Sequence, residues 1–98
     1  MSTRLTPASA PPAELFHGTV ARSVERILTE GLRPMRRHQV HLSPDVETAR
    51  TVGARRGRPV ILRVDAAGMA ADGAEFFRAD NGVWLLAAVP PERLSPMR

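Results

Sequence analysis

The chain has 98 residues, of which 43% are hydrophobic, as is typical of one domain with a single modest core. It contains no cysteine, which excludes disulfide bonds, thiolate zinc sites and cysteine nucleophiles. It lacks both an apolar run of the roughly 20 residues that a membrane helix needs and a signal-peptide pattern, so we expect a soluble, cytoplasmic protein.

All fourteen basic residues are arginine, and the formal net charge is +4. Because the planar guanidinium group pairs with phosphate at two points, this composition fits a polyanionic partner. GC-rich coding would also fill the surface with arginine, whatever the function. The placement of the arginines is therefore more informative than their number.

The N-terminal residues 1–13 are rich in Pro, Ala, Ser and Thr, and they predict a disordered leader or linker before one folded domain over residues 14–98. Leu15-Phe16 predicts a first strand. Thr19 is predicted to cap the helix that follows, and Gly31 to end that helix in the left-handed cap position.

Residues 39–42 predict a second strand, and Ser43-Pro44-Asp45 predicts the start of a second helix with the Ser43 hydroxyl as its cap. Apolar spacing predicts that Val46, Ala49 and Val52 face inwards and that Gly53 ends the helix. An arginine-rich loop follows, formed by Arg55, Arg56, Gly57 and Arg58.

The strongest strand pattern lies at residues 60–64. A loop or single helical turn is expected over residues 66–72, a short strand at Phe76-Phe77, and a turn at Asn81-Gly82 that opens a last strand over residues 83–89. Early helices and late strands predict an α+β fold with helices packed on a small sheet.

Three strings place polar or glycine residues at the edges of apolar runs: His17-Gly18-Thr19, residues 37–43, and Asn81-Gly82-Val83-Trp84. Strand ends and tight turns are where a small fold presents side chains and backbone N–H groups to a ligand. We therefore expect the three strings to form one composite site.

His17 has two interpretations: a histidine at the core edge bonded to backbone, or a group that binds a ligand hydroxyl while Gly18 lets the ligand approach. Thr19 and Ser43 are helix caps, or caps at the edge of a site whose helix N-terminus suits an anionic ligand. A metal site from His17, His38 and His41 is not expected, because side chains three apart on a strand point to opposite faces.

Arginines cluster before the second strand, and Arg33 and Arg36 are interpreted as solvated loop charges. Arg37 is held close to His41 by the following strand, so it could clamp a phosphate and stabilise charge in a transition state. Asn81-Gly82 is either a plain hairpin turn or part of the site. Trp84 is expected in the core rather than as a stacking platform.

Together these strings resemble the NAD-binding catalytic lobe of the RNA 2′-phosphotransferases of the KptA type, within the ADP-ribosyltransferase superfamily. The resemblance runs from about Leu15 to Leu94. It rests on an ordered set of motifs: His17-Gly18-Thr19, Ile27-Leu28-Thr29-Glu30-Gly31-Leu32, Met35, Arg37, Val40-His41-Leu42-Ser43, Val52-Gly53-Ala54-Arg55, Pro59-Val60, Asn81-Gly82-Val83-Trp84-Leu85 and Val89-Pro90. It implies an ADP-ribosyltransferase-like small split β-sheet with packed helices.

The resemblance also implies residue roles. His17 and Gly18 would hold the ribose and nicotinamide of NAD, and His41 and Ser43 would line the same cleft. Catalysis is assigned to Arg37, which matches the family arginine on the transferred phosphate, and to His41. The implied NAD-binding set is His17, Gly18, Thr19, His41, Ser43, Asn81 and Gly82.

The implied reaction uses NAD as co-substrate, needs no metal, and has two steps. The 2′-phosphate at an RNA splice junction attacks the nicotinamide ribose and expels nicotinamide; the ribose 2″-hydroxyl then attacks that phosphate and releases repaired RNA. Val83 matches an apolar residue that stands where relatives outside this family carry a catalytic glutamate. An acceptor that is already an anion needs no such base.

Family enzymes also carry an N-terminal RNA-binding lobe, which contributes an Arg-His pair and a further arginine, and we expect that lobe to be absent here. Two hypotheses therefore remain. The first is an NAD-dependent transferase acting on 2′-phosphorylated RNA or another phosphorylated nucleic acid. The second is a truncated, non-catalytic remnant that binds NAD or a nucleotide.

Overall fold

Two three-stranded antiparallel sheets and three α-helices make up the computed structural model, which describes residues 8–34 and 39–97. The sheets have the strand orders β1-β3-β6 and β2-β5-β4, so the predicted α+β class with a split sheet is confirmed. In chain order the elements are β1 (Glu14–Val20), α1 (Ala21–Glu30), β2 (Val40–Leu42), α2 (Val46–Ala54), β3 (Pro59–Asp65), α3 (Ala66–Ala71), β4 (Phe77–Arg78), β5 (Trp84–Leu86), a 3₁₀ turn (Pro91–Arg93) and β6 (Leu94–Pro96).

β1 pairs with β3 along its whole length, from Glu14 opposite Asp65 to Val20 opposite Pro59. Side chains alternate between the two faces of a strand, so β1 contributes to two different layers. Leu15 belongs to the main core with helix α1 and the second sheet. The opposite face of β1 packs against α2.

The predicted cap of α1 is wrong. Thr19 is a buried residue of β1, and the residue at the N-cap is Val20, with no side-chain hydrogen bond. Pairing with β3 continues through Thr19 and Val20, which keeps both residues in extended conformation. The C-terminal prediction is confirmed in part: Gly31 follows the helix with a φ of 85°, but its ψ of −177° is not that of a left-handed helical residue.

The predicted cap of α2 is also wrong by two residues. Asp45 is the N-cap, and its carboxylate accepts a 2.7 Å hydrogen bond from the backbone N–H of Thr48. That bond favours the charged carboxylate and lowers the pKa of Asp45. Ser43 instead continues the line of β2, because its backbone pairs with β1.

Small residues form the inner face of α2. Ala49 and Gly53 are buried, whereas Val52, predicted to face inwards, is 41% exposed, and the helix continues through Ala54. A Cβ built on Gly53 would lie 2.9 Å from the carbonyl oxygen of Thr19. The helix approaches β1 too closely there for a valine, which explains why the simple apolar spacing fails.

The C-terminal half contains the strand β6, which the sequence did not predict, and the six-residue helix α3, which agrees with the helical alternative expected over residues 66–72. Asp65 caps α3 by accepting a 3.0 Å hydrogen bond from the N–H of Gly68, and its other carboxylate oxygen accepts one from Arg93. Arg93 also donates to Asp72. The predicted last strand is shorter than expected, since β5 covers three residues.

Residues 8–13 of the predicted leader lie within the described part of the chain. The N–H of Ser9 donates to the carbonyl of Phe76 at 2.8 Å, and the N–H of Ala67 donates to the carbonyl of Ala13 at 3.0 Å. These bonds attach the end of the segment to the fold, while residues 1–7 fall outside the described residues. The domain boundary at residue 14 stays a prediction.

Candidate functional site

A fork between the two sheets is the central feature of the candidate site. Phe16 and Ser43 exchange two backbone hydrogen bonds: the Phe16 N–H donates at 2.9 Å and the Ser43 N–H donates at 2.8 Å. Beyond this pair β1 continues alongside β3, whereas β2 pairs with β5. The strands therefore separate at His17 on one side and at Leu42 on the other.

The three sequence strings meet at this fork. His17-Gly18-Thr19 follows the Phe16 pair on β1, and His41-Leu42-Ser43 leads into it on β2. Leu42 lies opposite Trp84 in the β2–β5 register, so the Asn81-Gly82-Val83 turn reaches the Ser43 end of β2. Residues that are distant in sequence thus occupy three adjacent strands.

His17 is a half-buried, uncharged imidazole at neutral pH. Burial, and then the nearby positive charge of Arg56, lower its pKa to about 4. No described residue forms a hydrogen bond with its ring. The backbone bond of a core-edge histidine is thus not seen among the described residues, and ligand binding by His17 stays a prediction.

Gly18 is explained by packing. A Cβ built on it would lie 1.8 Å from the Ala49 carbonyl oxygen and 2.9 Å from the Gly53 nitrogen of α2. The helix backbone therefore occupies the space of a side chain. A contact of Gly18 with NAD stays a prediction, as does one of Thr19, which is 4% exposed.

His41 and Ser43 lie on the second arm of the fork. His41 is exposed, and its Nδ1 lies 3.1 Å from the Gln39 carbonyl oxygen, a contact that orients the ring. Ser43 is buried, with its backbone used in the sheet pair. Their roles in NAD binding and catalysis stay predictions.

The Asn81-Gly82 turn forms as predicted. The Asn81 side-chain oxygen accepts a 3.0 Å hydrogen bond from the Val83 N–H, and Gly82 has a φ of 89°. Trp84 lies in the core as predicted, with its ring edge-to-face to that of Phe76 at a centroid distance of 6.5 Å.

Arg37, the predicted phosphate clamp, lies outside the described residues, as do Arg36 and His38. Its role stays a prediction.

Among residues 8–34 and 39–97, no group of three or more His, Cys, Asp or Glu residues is placed to hold a metal ion. In the same part of the chain no helix is long and apolar enough to cross a bilayer.

Arg56 was not identified individually from the sequence. It lies in the loop before β3, and β3 is the neighbour of β1, so the loop returns to the end of the strand that carries His17. The arginine-rich composition was visible in the sequence, but its position beside His17 depends on strand pairing.

The family model and the related proteins that match this chain all point to the same family. Residues 1–88 match the family model described as RNA 2′-phosphotransferase, Tpt1/KptA family. A probable RNA 2′-phosphotransferase of Streptomyces griseus is 62% identical over 88 residues, which cover 90% of this chain and 47% of that protein.

Two further bacterial proteins with the same name show a similar match. The protein of Agrobacterium fabrum is 61% identical over 84 residues, covering 86% of this chain and 45% of its own length. The protein of Burkholderia lata is 53% identical over 94 residues, which cover 96% of this chain and 48% of that protein. The chain therefore spans about half the length of these relatives.

Proposed function

Because this chain belongs to the RNA 2′-phosphotransferase family (Tpt1/KptA), we propose that it uses NAD to remove the 2′-phosphate of RNA. One observation carries the proposal for this chain: the three polar strings converge at the fork of the split sheet. Such a fork provides two diverging strands on which one extended ligand can be held.

The residues at the fork fit NAD in chemical terms. Oxidised nicotinamide carries a positive charge, so an uncharged imidazole at His17 can hydrogen-bond beside it without charge repulsion. The side-chain NH₂ of Asn81 has two donors, because the turn uses only its oxygen. When bound, NAD would supply an electrophilic ribose carbon and a nicotinamide leaving group.

The chain's own catalytic contribution is positioning and charge neutralisation. Arg37 would hold the acceptor phosphate and offset its negative charge. A planar guanidinium group suits this role because it can donate two parallel hydrogen bonds to a phosphate. His41 of β2 is assigned to the same reaction. An anionic phosphate needs no general base, and Val83 offers none.

The direct test is to incubate the protein with nicotinamide-labelled NAD and a 2′-phosphorylated oligonucleotide. We expect nicotinamide release that requires the 2′-phosphate, with the same oligonucleotide lacking that phosphate as the control. NAD binding without release would support the non-catalytic, nucleotide-binding alternative. Absence of both binding and release would contradict both functions.

A further inference from the structure

One segment of the chain is strongly and exclusively basic. Between Glu47 and Asp65 there are five of the fourteen arginines and none of the ten acidic residues. One of the five, Arg63, lies 3.5 Å from the Glu14 carboxylate. The other four side chains are exposed and form no ion pair with a described residue: Arg50, Arg55, Arg56 and Arg58.

The fold places these four arginines, which we call the arginine rim, beside the fork. β3 begins at Pro59 opposite Val20, and a Cβ built on Gly57 would lie 3.6 Å from Val20 Cγ1. The loop therefore folds over the end of β1, three residues from His17, where the Arg56 charge acts on the imidazole. Arg50 extends the rim along α2, about 7.5 Å of helix rise before Arg55.

We infer that the arginine rim binds the phosphate backbone of the RNA next to its reacting 2′-phosphate. This inference rests on the proposed function and assigns this chain an RNA contact of its own. Four exposed cations that form no ion pair with a described residue exceed what the two phosphates of one NAD molecule require. A cluster of exposed arginines of this kind is the pattern that an extended polyanion recognises.

The test measures RNA binding without NAD and without turnover. Fluorescence anisotropy would give the affinity of the chain for a 2′-phosphorylated single-stranded oligonucleotide across a series of salt concentrations. Each lost phosphate contact should reduce the slope of log K against log salt by about 0.7. We therefore expect the double variant Arg55→Gln, Arg58→Gln to bind more weakly, with a slope lower by about 1.4.

The matched control is Arg78→Gln. It removes the same charge from an exposed side chain of β4, the outer strand of the other sheet, and should leave the slope close to that of the unmodified chain. Circular dichroism of each variant would verify that the fold is retained.

Three results would overturn the inference. The first is no measurable oligonucleotide binding, and the second is an equal decrease in the salt slope of oligonucleotide binding in Arg78→Gln. The third is a double variant Arg55→Gln, Arg58→Gln that binds NAD more weakly but keeps the salt slope of oligonucleotide binding. The last result would mean that the rim binds the pyrophosphate of NAD. A chain that binds RNA through the rim but releases no nicotinamide would overturn the proposed function and not this inference.

Discussion

Phe16 and Ser43 join the two sheets through a reciprocal pair of backbone hydrogen bonds, and the strands that carry them separate directly afterwards. His17 follows one member of this pair and Leu42 precedes the other. The relative position of the two arms of the candidate site therefore depends on this backbone contact together with the shared core, which contains Leu15 of β1 and Leu42 of β2. Because this contact uses main-chain atoms, side-chain truncation leaves it intact.

The first prediction concerns that contact. Ser43→Pro removes the N–H that donates to Phe16 and leaves the carbonyl of this half-buried residue without that partner, at a cost of about 1–3 kcal/mol in the free energy of unfolding. Ser43→Ala keeps the donor and should cost clearly less. Urea titration of both variants measures the difference. Equal losses in the two variants would show that the backbone pair does not stabilise the fold.

The second prediction concerns the close approach of β1 and α2. Gly18→Ala places a methyl group 1.8 Å from the Ala49 carbonyl oxygen, so the helix must move, and we expect a loss of about 3 kcal/mol or more. Gly82→Ala is the comparison, because nothing lies within 4 Å of its Cβ position and only its positive φ is strained, at about 1–2 kcal/mol. A smaller loss for Gly18→Ala than for Gly82→Ala would exclude the packing explanation.

The third prediction is a pH dependence of stability from His17. The pKa of His17 is about 4 in the folded protein, against the ordinary histidine value of 6.5 in the unfolded chain, so the unfolded chain binds more protons between these pH values. The contribution of His17 to stability is complete above pH 6.5 and is lost as the pH falls towards 4. Two and a half pKa units correspond to roughly 3 kcal/mol.

His17→Gln should flatten the stability profile in this pH window, as measured by urea unfolding at several pH values. NMR titration of the ring separates the two causes of the lowered pKa. Arg56→Gln should raise the pKa of His17 while keeping it below 6.5, since burial is the larger cause. Arg78→Gln should leave the pKa unchanged, and an equal rise there would argue against a local effect of Arg56.

The fourth prediction tests whether Arg37 binds the acceptor phosphate or the NAD cofactor. Arg37→Ala should lower the rate of oligonucleotide-dependent nicotinamide release by at least about 100-fold, since one oriented charge contact in a transition state contributes about 2.7–4 kcal/mol. NAD affinity should stay within a few-fold of that of the unmodified chain. Equilibrium binding of NAD provides this second readout. Loss of NAD binding would show that Arg37 anchors the cofactor instead.

The sequence predicted β3 and the helices α1 and α2 best because their signals are local, whereas β1 has seven residues and was predicted as a strand only at Leu15-Phe16. The apolar run of β3 and the Gly31 signal after α1 depend on neighbouring residues alone. The two caps failed for the opposite reason. Thr19 and Ser43 have hydroxyls in suitable local positions, but pairing with distant strands keeps their backbones extended.

The strand β6 was missed, and α3 was expected only as a loop or a single helical turn, because the residues that stabilise both elements lie far along the chain. Arg93 binds both Asp65 and Asp72, and β6 pairs with β3 across a separation of about 30 residues. No periodicity within six residues or fewer could indicate such partners.

The sequence by itself determined which chemical groups are present and which family they resemble: His17, His41, the Asn81-Gly82 turn and an arginine-rich loop, with no cysteine. These are properties of residue types and short spacings. Only the tertiary structure decided that the strings meet at one fork, that Gly18 accommodates a helix, and that Arg56 lowers the pKa of His17. Each of these depends on strand register and helix approach, which bring together residues separated by tens of positions and remove a side chain from water.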